Sequence, residues 1–500
     1  MRNVLSLVAC ALLPASVLTA CASGGAGEAE VVFQQTAAEP EAQVKVLDES
    51  DPSAASIAST KQLFERSDIA FVAAHNDAES LADDAARLRA PMLIAGNGVR
   101  HELERLGVRI VIHPDGELPG EALGDLGDVE TVSVDPNDVD DTKLPTIKVQ
   151  EPAQPAVLVE VSTGGDGDVR AVAAANVQAA GGESVKMVGP LGDPRATSES
   201  VATAKAHAES TVLAIGDMHG AEEQFPQRFR TAATQPELPG GGQLALQNRL
   251  LIADYGTPGT PALGVMGEQD LDGAVEQVKA RAAQYDSLVD AKYTVVPTFE
   301  IITTVASASK GDGDYSDELS VDALRPWVER AAEEGIYVVL DLQPGNDDFL
   351  TQAKQYEALL KLPHVGLAID PEWRLKPGQR HLEQIGTVTA AEVNRTLDWL
   401  AALTAEHELP QKVVVLHQFR NDMITERDTL DTSHDELALL IHVDGHGTPG
   451  DKAATWDAIR EDLPEGVYLG WKNFIDEDQP MLTPAQTAKI EPRPSFVSYQ

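Results

Sequence analysis

The chain has 500 residues, an ordinary apolar fraction of 43% and a formal net charge of −42 at pH 7. A chain of this length is expected to form at least two domains. Because so strong a negative charge repels phosphate backbones, the composition argues against a nucleic-acid partner and is typical of the solvated surface of an exported protein.

The N-terminus carries an export signal. Arg2 precedes an apolar stretch, 4–18, that has the length of a signal-peptide core and is too short to span a bilayer as a helix. The stretch ends in Leu18-Thr-Ala-Cys21, which is similar to the lipobox of bacterial lipoproteins. This resemblance implies a signal peptide over 1–21 and a diacylated Cys21 that anchors the protein to the membrane on its extracytoplasmic side, in the cell envelope. An ordinary signal peptide with an incidental cysteine is the alternative.

Two segments that differ in composition and in hydrophobic pattern follow the signal peptide. Residues 22–56 are rich in Ala, Gly, Glu, Gln and Ser without a helix or strand period, which predicts a disordered tether. Over 57–236 short apolar strands alternate with Ala-rich helices, which predicts an α/β domain with a parallel sheet. The pattern returns after roughly a hundred residues and indicates a degenerate internal repeat.

Part of this region resembles a known surface module. The segments 90–95 and 102–112 are similar to the type 2 cell-wall-binding repeat of Gram-positive surface proteins. The resemblance implies an α/β module that binds a cell-wall polymer. The chain departs from the family at 113–116, where His-Pro-Asp-Gly replaces a Val-Gly-Gly turn, so a generic flavodoxin-like unit stays open as the alternative.

A Gly- and Pro-rich break at 237–243 predicts a domain boundary, followed by a second domain over 245–500. Eight candidate strands, with helices in most of the gaps, predict a (β/α)8 barrel there. An open, doubly wound sheet is the alternative. The predicted strands are 250–254, 293–299, 337–341, 365–370, 413–417, 437–443, 467–471 and 496–499.

Polar residues follow nearly every predicted strand, and the carboxyl ends of barrel strands meet at one mouth. Asp370 and Glu372 are two positions apart and should point the same way from an extended chain. Glycoside hydrolysis needs a carboxylic acid and a second carboxylate. Glu372 is the candidate acid, because burial against Trp373 and repulsion by Asp370 would raise its pKa. Glu300 and Asp341 are the candidates for the second carboxylate.

Other strand-end residues are candidates for substrate binding, because aromatic faces stack on sugar rings while charged and amide groups bind hydroxyls. A His-x-Asp-x-His pattern at 442–446 would place its three side chains on one side only if the strand continued through Gly445. We therefore predict no metal and no cofactor. The substrate-binding candidates are Asp254, Tyr255, Gln343, Trp373, Gln418, Arg420, His442, Asp444, Trp471, Lys472 and Asp476.

The end of the fourth predicted strand resembles the strand-four motif of chitinase-like family 18 glycoside hydrolases. Gly366, Asp370 and Glu372 match the glycine, last aspartate and glutamate of that motif, whereas Val365 and Ala368 replace its first two aspartates. The resemblance implies that Glu372 is the acid and that Asp370 orients an acetamido group of the substrate.

The whole segment from 249 to 500 resembles a barrel domain of uncharacterised actinobacterial lipoproteins. The stretches that carry this resemblance are 338–345, 366–378, 416–420, 470–474 and 476–478. This resemblance implies a barrel fold and a location in the cell envelope, but it implies no known reaction. The sequence therefore predicts a lipid-anchored envelope protein whose barrel acts on an envelope or environmental glycan. A non-catalytic glycan-binding surface lipoprotein is the alternative, and the oligomeric state is open.

Overall fold

The computed structural model describes residues 28–116, 127–136, 139, 142, 144–162, 165–187, 189–311 and 313–500. It has a mixed α/β N-terminal region followed by a C-terminal barrel. The predicted signal peptide, Cys21 and the first residues of the predicted tether lie outside the described residues. Within the described ranges, none of the helices has both the length and the apolar character needed to cross a membrane.

The first described residues form part of the folded N-terminal region. Strand β1 (Glu28–Phe33) lies between β3 (Phe64–Ser67) and β8 (Thr146–Gln150), and its last three side chains are buried. Strand β2 (Val44–Val46) joins a second sheet. The prediction of a disordered tether is therefore wrong for residues 28–56. Its short apolar runs find their partners only in strands far along the chain, which local composition does not reveal.

Two four-stranded parallel sheets in this region share the order of three of their four strands, whereas the fourth strand follows the other three along the chain in the first sheet and precedes them in the second. The first has the order β5-β4-β6-β7 and the second β10-β9-β11-β2, so in each the chain leaves an inner strand for an edge and then crosses to the other side. The strands are β4 (Ile69–Ala73), β5 (Met92–Ile94), β6 (Ile110–Pro114), β7 (Glu130–Val134), β9 (Ala156–Glu160), β10 (Glu183–Lys186) and β11 (Thr211–Ile215). The helices are α1 (Pro52–Leu63), α2 (Glu79–Arg87), α3 (Val99–Leu106), α4 (Gly167–Ala179), α5 (Ser198–Ala206) and α6 (Phe225–Thr234).

The C-terminal region is a closed barrel of eight parallel strands, as the sequence predicted. Closure comes from β12, which pairs with both β13 and β22, and this excludes the open sheet. The barrel strands are β12 (Arg249–Gly256), β13 (Thr294–Ala306), β15 (Tyr337–Leu342), β16 (Val365–Ile369), β18 (Lys412–Gln418), β20 (Leu437–Val443), β21 (Tyr468–Asn473) and β22 (Phe496–Tyr499). Short accessory strands are β14 (Ser316–Glu318), β17 (Val388–Thr389) and β19 (Ile424–Thr425).

Helices surround the barrel and divide its side chains into two layers. Alternate residues of each strand face either the interior or the helices, as the two-residue period of a strand requires. The interior near the amino ends of the strands is apolar and includes Leu251, Val339, Val413 and Leu440. The helices are α7 (Leu271–Ala283), α8 (Val321–Glu334), α9 (Phe349–Gln355), α10 (Glu357–Leu360), α11 (Ala390–Glu406), α12 (Pro449–Arg460) and α13 (Pro484–Thr487).

Gly366 shows how tightly this interior is packed. A Cβ atom at this position would lie 2.5 Å from the carbonyl oxygen of Val413 and 3.0 Å from the hydroxyl of Tyr337. The glycine that matches the chitinase-like motif therefore has a packing role in this barrel.

The N-terminal region contacts the barrel through a cluster of charges. Asp435, just before β20, accepts hydrogen bonds from Arg228 at 2.6 Å and from Arg195 at 3.0 Å. Arg195 is 5% exposed and also pairs with Asp193 at 2.8 Å. These contacts hold one loop of the barrel against the N-terminal region.

Candidate active site

At the carboxyl end of the barrel, the interior side chains change from apolar to polar. These residues continue the interior face of their strands, and each is at most 3% exposed. Charged groups are costly in such an environment unless they are paired or serve a function. We call this set the polar layer; it consists of Tyr255, Glu300, Asp341, Asp370, His417, His442, Lys472 and Ser498.

His417 lies between two carboxylates in this layer. Its Nδ1 is 3.0 Å from Oδ2 of Asp444, and its Nε2 is 3.0 Å from Oε1 of Glu300. Because carboxylates only accept hydrogen bonds, both ring nitrogens donate and the ring carries a positive charge. Burial opposes this charge, but Asp341, Asp444 and Glu300 together raise the pKa of His417 well above its usual value.

Asp341 lies beside this chain. Its Oδ2 accepts a hydrogen bond of 2.9 Å from the hydroxyl of Tyr255, and its Oδ1 is 3.9 Å from Nε2 of His417. Burial raises the pKa of Asp341 to about 6; the charge of His417 opposes the rise and that of Glu300 adds to it. Lys472 places its amine 3.7 Å from the centroid of the Tyr255 ring, over its face.

Above the polar layer is a cavity of about 530 Å³. Its walls carry aromatic rings, among which Trp373 stacks on His381 at 4.8 Å between ring centroids. Phe419, His446 and Phe474 also contribute to the walls. The polar lining consists of Tyr255, Gln343, Asp370, Glu372, Asp444, Thr455, Lys472 and Gln500.

Asp370 and Glu372 both line the cavity, although the chain between them is not extended. Strand β16 ends at Ile369, and Pro371–Trp373 form one turn of 3-10 helix. Oδ1 of Asp370 caps this turn by accepting a hydrogen bond of 3.1 Å from the Glu372 amide. Burial and the charge of Asp444 raise the pKa of Glu372 to about 7. Burial, Asp341 and Glu372 raise the pKa of Asp370 well above its usual value.

Asp444 is the ionised carboxylate of the cavity. Burial disfavours its charge, but the hydrogen bond and positive charge of His417 lower its pKa below the usual value. The cavity is therefore lined by two carboxyl groups whose pKa is raised, Asp370 and Glu372, and by one whose pKa is lowered, Asp444. Such opposite shifts are typical of acid and base pairs.

The two carboxylates predicted to oppose Glu372 lie below the cavity. Glu300 and Asp341 are fully buried and are absent from the cavity lining. They are held by His417 and Tyr255 respectively. Asp444, predicted only as a substrate-binding residue, faces the cavity together with Asp370 and Glu372.

Three predicted binding residues face the helices instead of the cavity. Asp254 forms an ion pair of 2.5 Å with Arg281 of α7. Gln418 accepts from Arg427 at 3.1 Å. Trp471 packs on a tryptophan of α12. All three occupy strand positions whose side chains point outward, toward the helices. The prediction that they line the mouth is therefore wrong.

Three further predictions also fail for the cavity. Arg420 is exposed and pairs with Asp422, and Asp476 is exposed in the turn after β21. His442 is buried in the polar layer, with Nε2 3.2 Å from the hydroxyl of Ser498. The cavity does include the predicted residues Tyr255, Gln343, Trp373, Asp444 and Lys472.

Three side chains of the polar layer could offer ligands to a metal ion. Ligand atoms of Glu300, His417 and His442 lie within 4.8 Å of one another. A metal at Nε2 of His417 would displace the proton that this nitrogen donates to Glu300. The hydrogen bonds therefore fit a charged histidine better than a metal ligand.

A comparison with protein-family models and with curated proteins finds no match for this chain. The resemblances to cell-wall-binding repeats, to chitinase-like enzymes and to actinobacterial lipoproteins therefore stay predictions. His417, the residue at the centre of the polar layer, is not among the predicted site residues. His417 lies two residues after Val415, which faces the interior of the barrel from β18. The two-residue period of the strand could therefore have placed His417 on the interior face.

Proposed function

We propose that the barrel is a glycoside hydrolase in which Glu372 is the general acid and Asp444 the second carboxylate. The observation that carries this proposal is their shared cavity, in which the pKa of Glu372 is raised to about 7 while that of Asp444 is lowered. A carboxyl group whose pKa is raised to about 7 can still carry a proton near neutral pH, so Glu372 can protonate a leaving oxygen.

In this mechanism, Glu372 gives its proton to the glycosidic oxygen while positive charge develops on the sugar ring. Asp444, which is ionised, attacks the anomeric carbon or takes a proton from an attacking water. Trp373 and Phe474 line the cavity and offer apolar faces to a sugar ring. Lys472 and Gln343 offer donors to its hydroxyl groups.

The test is hydrolysis of a panel of envelope polysaccharides and chitin-type oligomers by the wild type, Glu372→Gln and Asp444→Asn, followed as release of reducing ends. We expect each variant to lose at least about a hundredfold in kcat and to keep glycan binding. Asp476→Asn is the matched control, because it removes an exposed carboxylate outside the cavity. Binding without hydrolysis by the wild type would contradict the proposal and leave a non-catalytic glycan-binding protein.

We further propose that the protein is a lipoprotein of the cell envelope, anchored through Cys21. The lipobox-like sequence at 18–21 supports this localisation. Intact mass spectrometry of protein extracted from a bacterial membrane should show a mature chain that starts at Cys21 and carries acyl chains, and the Cys21→Ser variant should lack them. A mature chain with an unmodified Cys21 would exclude the anchor.

The N-terminal region is proposed to bind a cell-wall polymer. Two parallel sheets that share the order of three strands support an origin in a repeated module. Sedimentation with purified cell walls should retain the wild type and also Trp373→Ala, which alters only the barrel cavity. Loss of wall binding in Trp373→Ala would assign the binding to the barrel instead.

A further inference from the structure

A buried chain of three side chains connects the cavity to the interior of the barrel. Asp444 lies at its upper end, where it lines the cavity, and Glu300 lies at its lower end. His417 joins them through two hydrogen bonds of 3.0 Å, one from each ring nitrogen. His417 and Glu300 are fully buried, so water does not compete for these bonds.

The groups around His417 favour its positive charge. Asp341 on β15 has an oxygen 3.9 Å from Nε2, and the carboxyl groups of Asp370 and Glu372, after β16, also interact with the ring charge. Tyr255 on β12 and His442 on β20 present their rings at centroid distances of 6.1 and 5.0 Å. Lys472 on β21 is a second cation of the layer, and its amine lies over the Tyr255 ring.

The two oxygens of Asp444 have different environments. Oδ2 is fixed by His417, whereas Oδ1 has no hydrogen-bond partner among the described residues. The carboxylate cannot rotate without breaking its bond to the charged ring. One oxygen is thus held, and the other is free of protein donors.

We propose that His417 is a positioning residue whose charged ring orients Asp444 and keeps it ionised beside Glu372, while Glu300 holds the ring in place. This inference rests on the proposed function, because it explains how two neighbouring carboxyl groups keep different protonation states. Without the ring charge, Asp444 would be a buried carboxyl group next to another, and burial and repulsion would favour its protonated form. Both groups would then hold protons at the same pH, and the base would be lost.

The first test is the pH dependence of kcat/KM for His417→Gln beside the wild type on a cleaved glycan. We expect the low-pH limb, which reports Asp444, to move upward by at least about one pH unit, because the charge that lowers its pKa is gone. The value of kcat should fall at least about tenfold and KM should change little. His434→Gln, on a loop of the barrel outside the cavity, is the control and should keep the wild-type profile.

Glu300→Gln provides a second variant in case His417→Gln does not fold. Its amide oxygen can still accept from Nε2 of His417, but the negative charge that supports the ring is removed. The low-pH limb should therefore move in the same direction by a smaller amount. An active His417→Gln or Glu300→Gln variant with an unmoved limb would overturn the inference and leave the proposed function standing.

A second measurement does not depend on turnover. Nitrogen-15 NMR of the histidine-labelled protein, assigned by loss of the signal in His417→Gln, reports the protons on each ring nitrogen. Both nitrogens of His417 should stay protonated at pH 7, where an ordinary histidine has lost most of its charge. A neutral ring at pH 7 would overturn the inference. If the wild type cleaves no glycan, the proposed function fails, and the state of this ring alone decides whether His417 holds Asp444 as described.

Discussion

Individual residues of the polar layer show that the barrel keeps carboxyl groups where burial disfavours them. Asp341 Oδ1 and Glu300 Oε2 are buried and have no hydrogen-bond partner among the described residues. An apolar or neutral side chain at either position would be less costly for folding. Such costs are commonly retained where a site needs the charge.

We expect Asp341→Asn to stabilise the protein at high pH. Burial raises the pKa of Asp341 to about 6 in the folded chain, above the usual 3.8, so the folded state holds this proton more tightly than the unfolded state. This contribution to stability is full below pH 4 and is lost as the pH rises through about 6. The variant should gain roughly 1–3 kcal/mol at pH 8 and clearly less at pH 4.5.

Urea unfolding of both proteins at the two pH values measures this difference. Asp422→Asn, an exposed carboxylate on a loop, serves as the control and should change the free energy of unfolding little at either pH. An equal gain for Asp341→Asn at pH 4.5 and pH 8 would show that the burial of a charge is not its source.

The positions of single side chains could be predicted only in part. The ends of the strands were predicted, but each end carries polar residues at successive positions, which point to opposite faces of the sheet. Tyr255 and Lys472 face the interior, whereas their neighbours Asp254 and Trp471 face the helices. Alternate residues of a barrel strand face the interior or the helices. Both faces of the strand are buried and apolar, so the sequence does not show which set of residues faces the interior.

At the scale of elements, the barrel strands were predictable because each is a short apolar run bounded by turn residues. Their predicted positions agree with the structure within a few residues at most ends, with the largest difference at β13, which continues to Ala306 to pair with β14. Strand β1 was missed, because its partners are β3 and β8 and no local period marks it. Pairings between distant segments are set by the folded chain.

The importance of β1 can be tested with Phe33→Ala. Phe33 is fully buried and packs against Phe64 at 4.7 Å between ring centroids. Removing a buried phenylalanine ring should cost about 3–5 kcal/mol in the free energy of unfolding. Glu28→Ala, at the exposed start of the same strand, should cost less than about 0.5 kcal/mol. If Phe33→Ala were as stable as the wild type, residues 28–33 would behave as the tether that the sequence suggested.

At the scale of the whole molecule, the N-terminal region and the barrel share the charge cluster around Asp435. We expect Asp435→Ala to leave the buried Arg195 with fewer partners and to weaken the contact between the two regions. The predicted loss is roughly 1–3 kcal/mol, because a buried charge loses a hydrogen-bonded partner. Calorimetry should show the unfolding of the two regions separating into two transitions.

The control for this change is Asp431→Ala, on the same loop but with its carboxylate 38% exposed. It should leave the calorimetric profile of the wild type unchanged. A profile of Asp435→Ala that matches this control would mean that other contacts hold the two regions together.

We propose that Glu372 and Asp444 act as acid and base in one cavity. The most direct measurement is the pH dependence of kcat/KM for wild type and Glu372→Gln on an aryl glycoside whose leaving group needs no protonation, beside a natural glycan. On the glycan, wild-type activity should fall as the pH rises through about 7, where Glu372 loses its proton. Glu372→Gln should lose activity on the glycan, keep much of it on the aryl glycoside and show no fall near pH 7. The same fall near pH 7 in Glu372→Gln, or a wild type that cleaves neither substrate, would contradict the account.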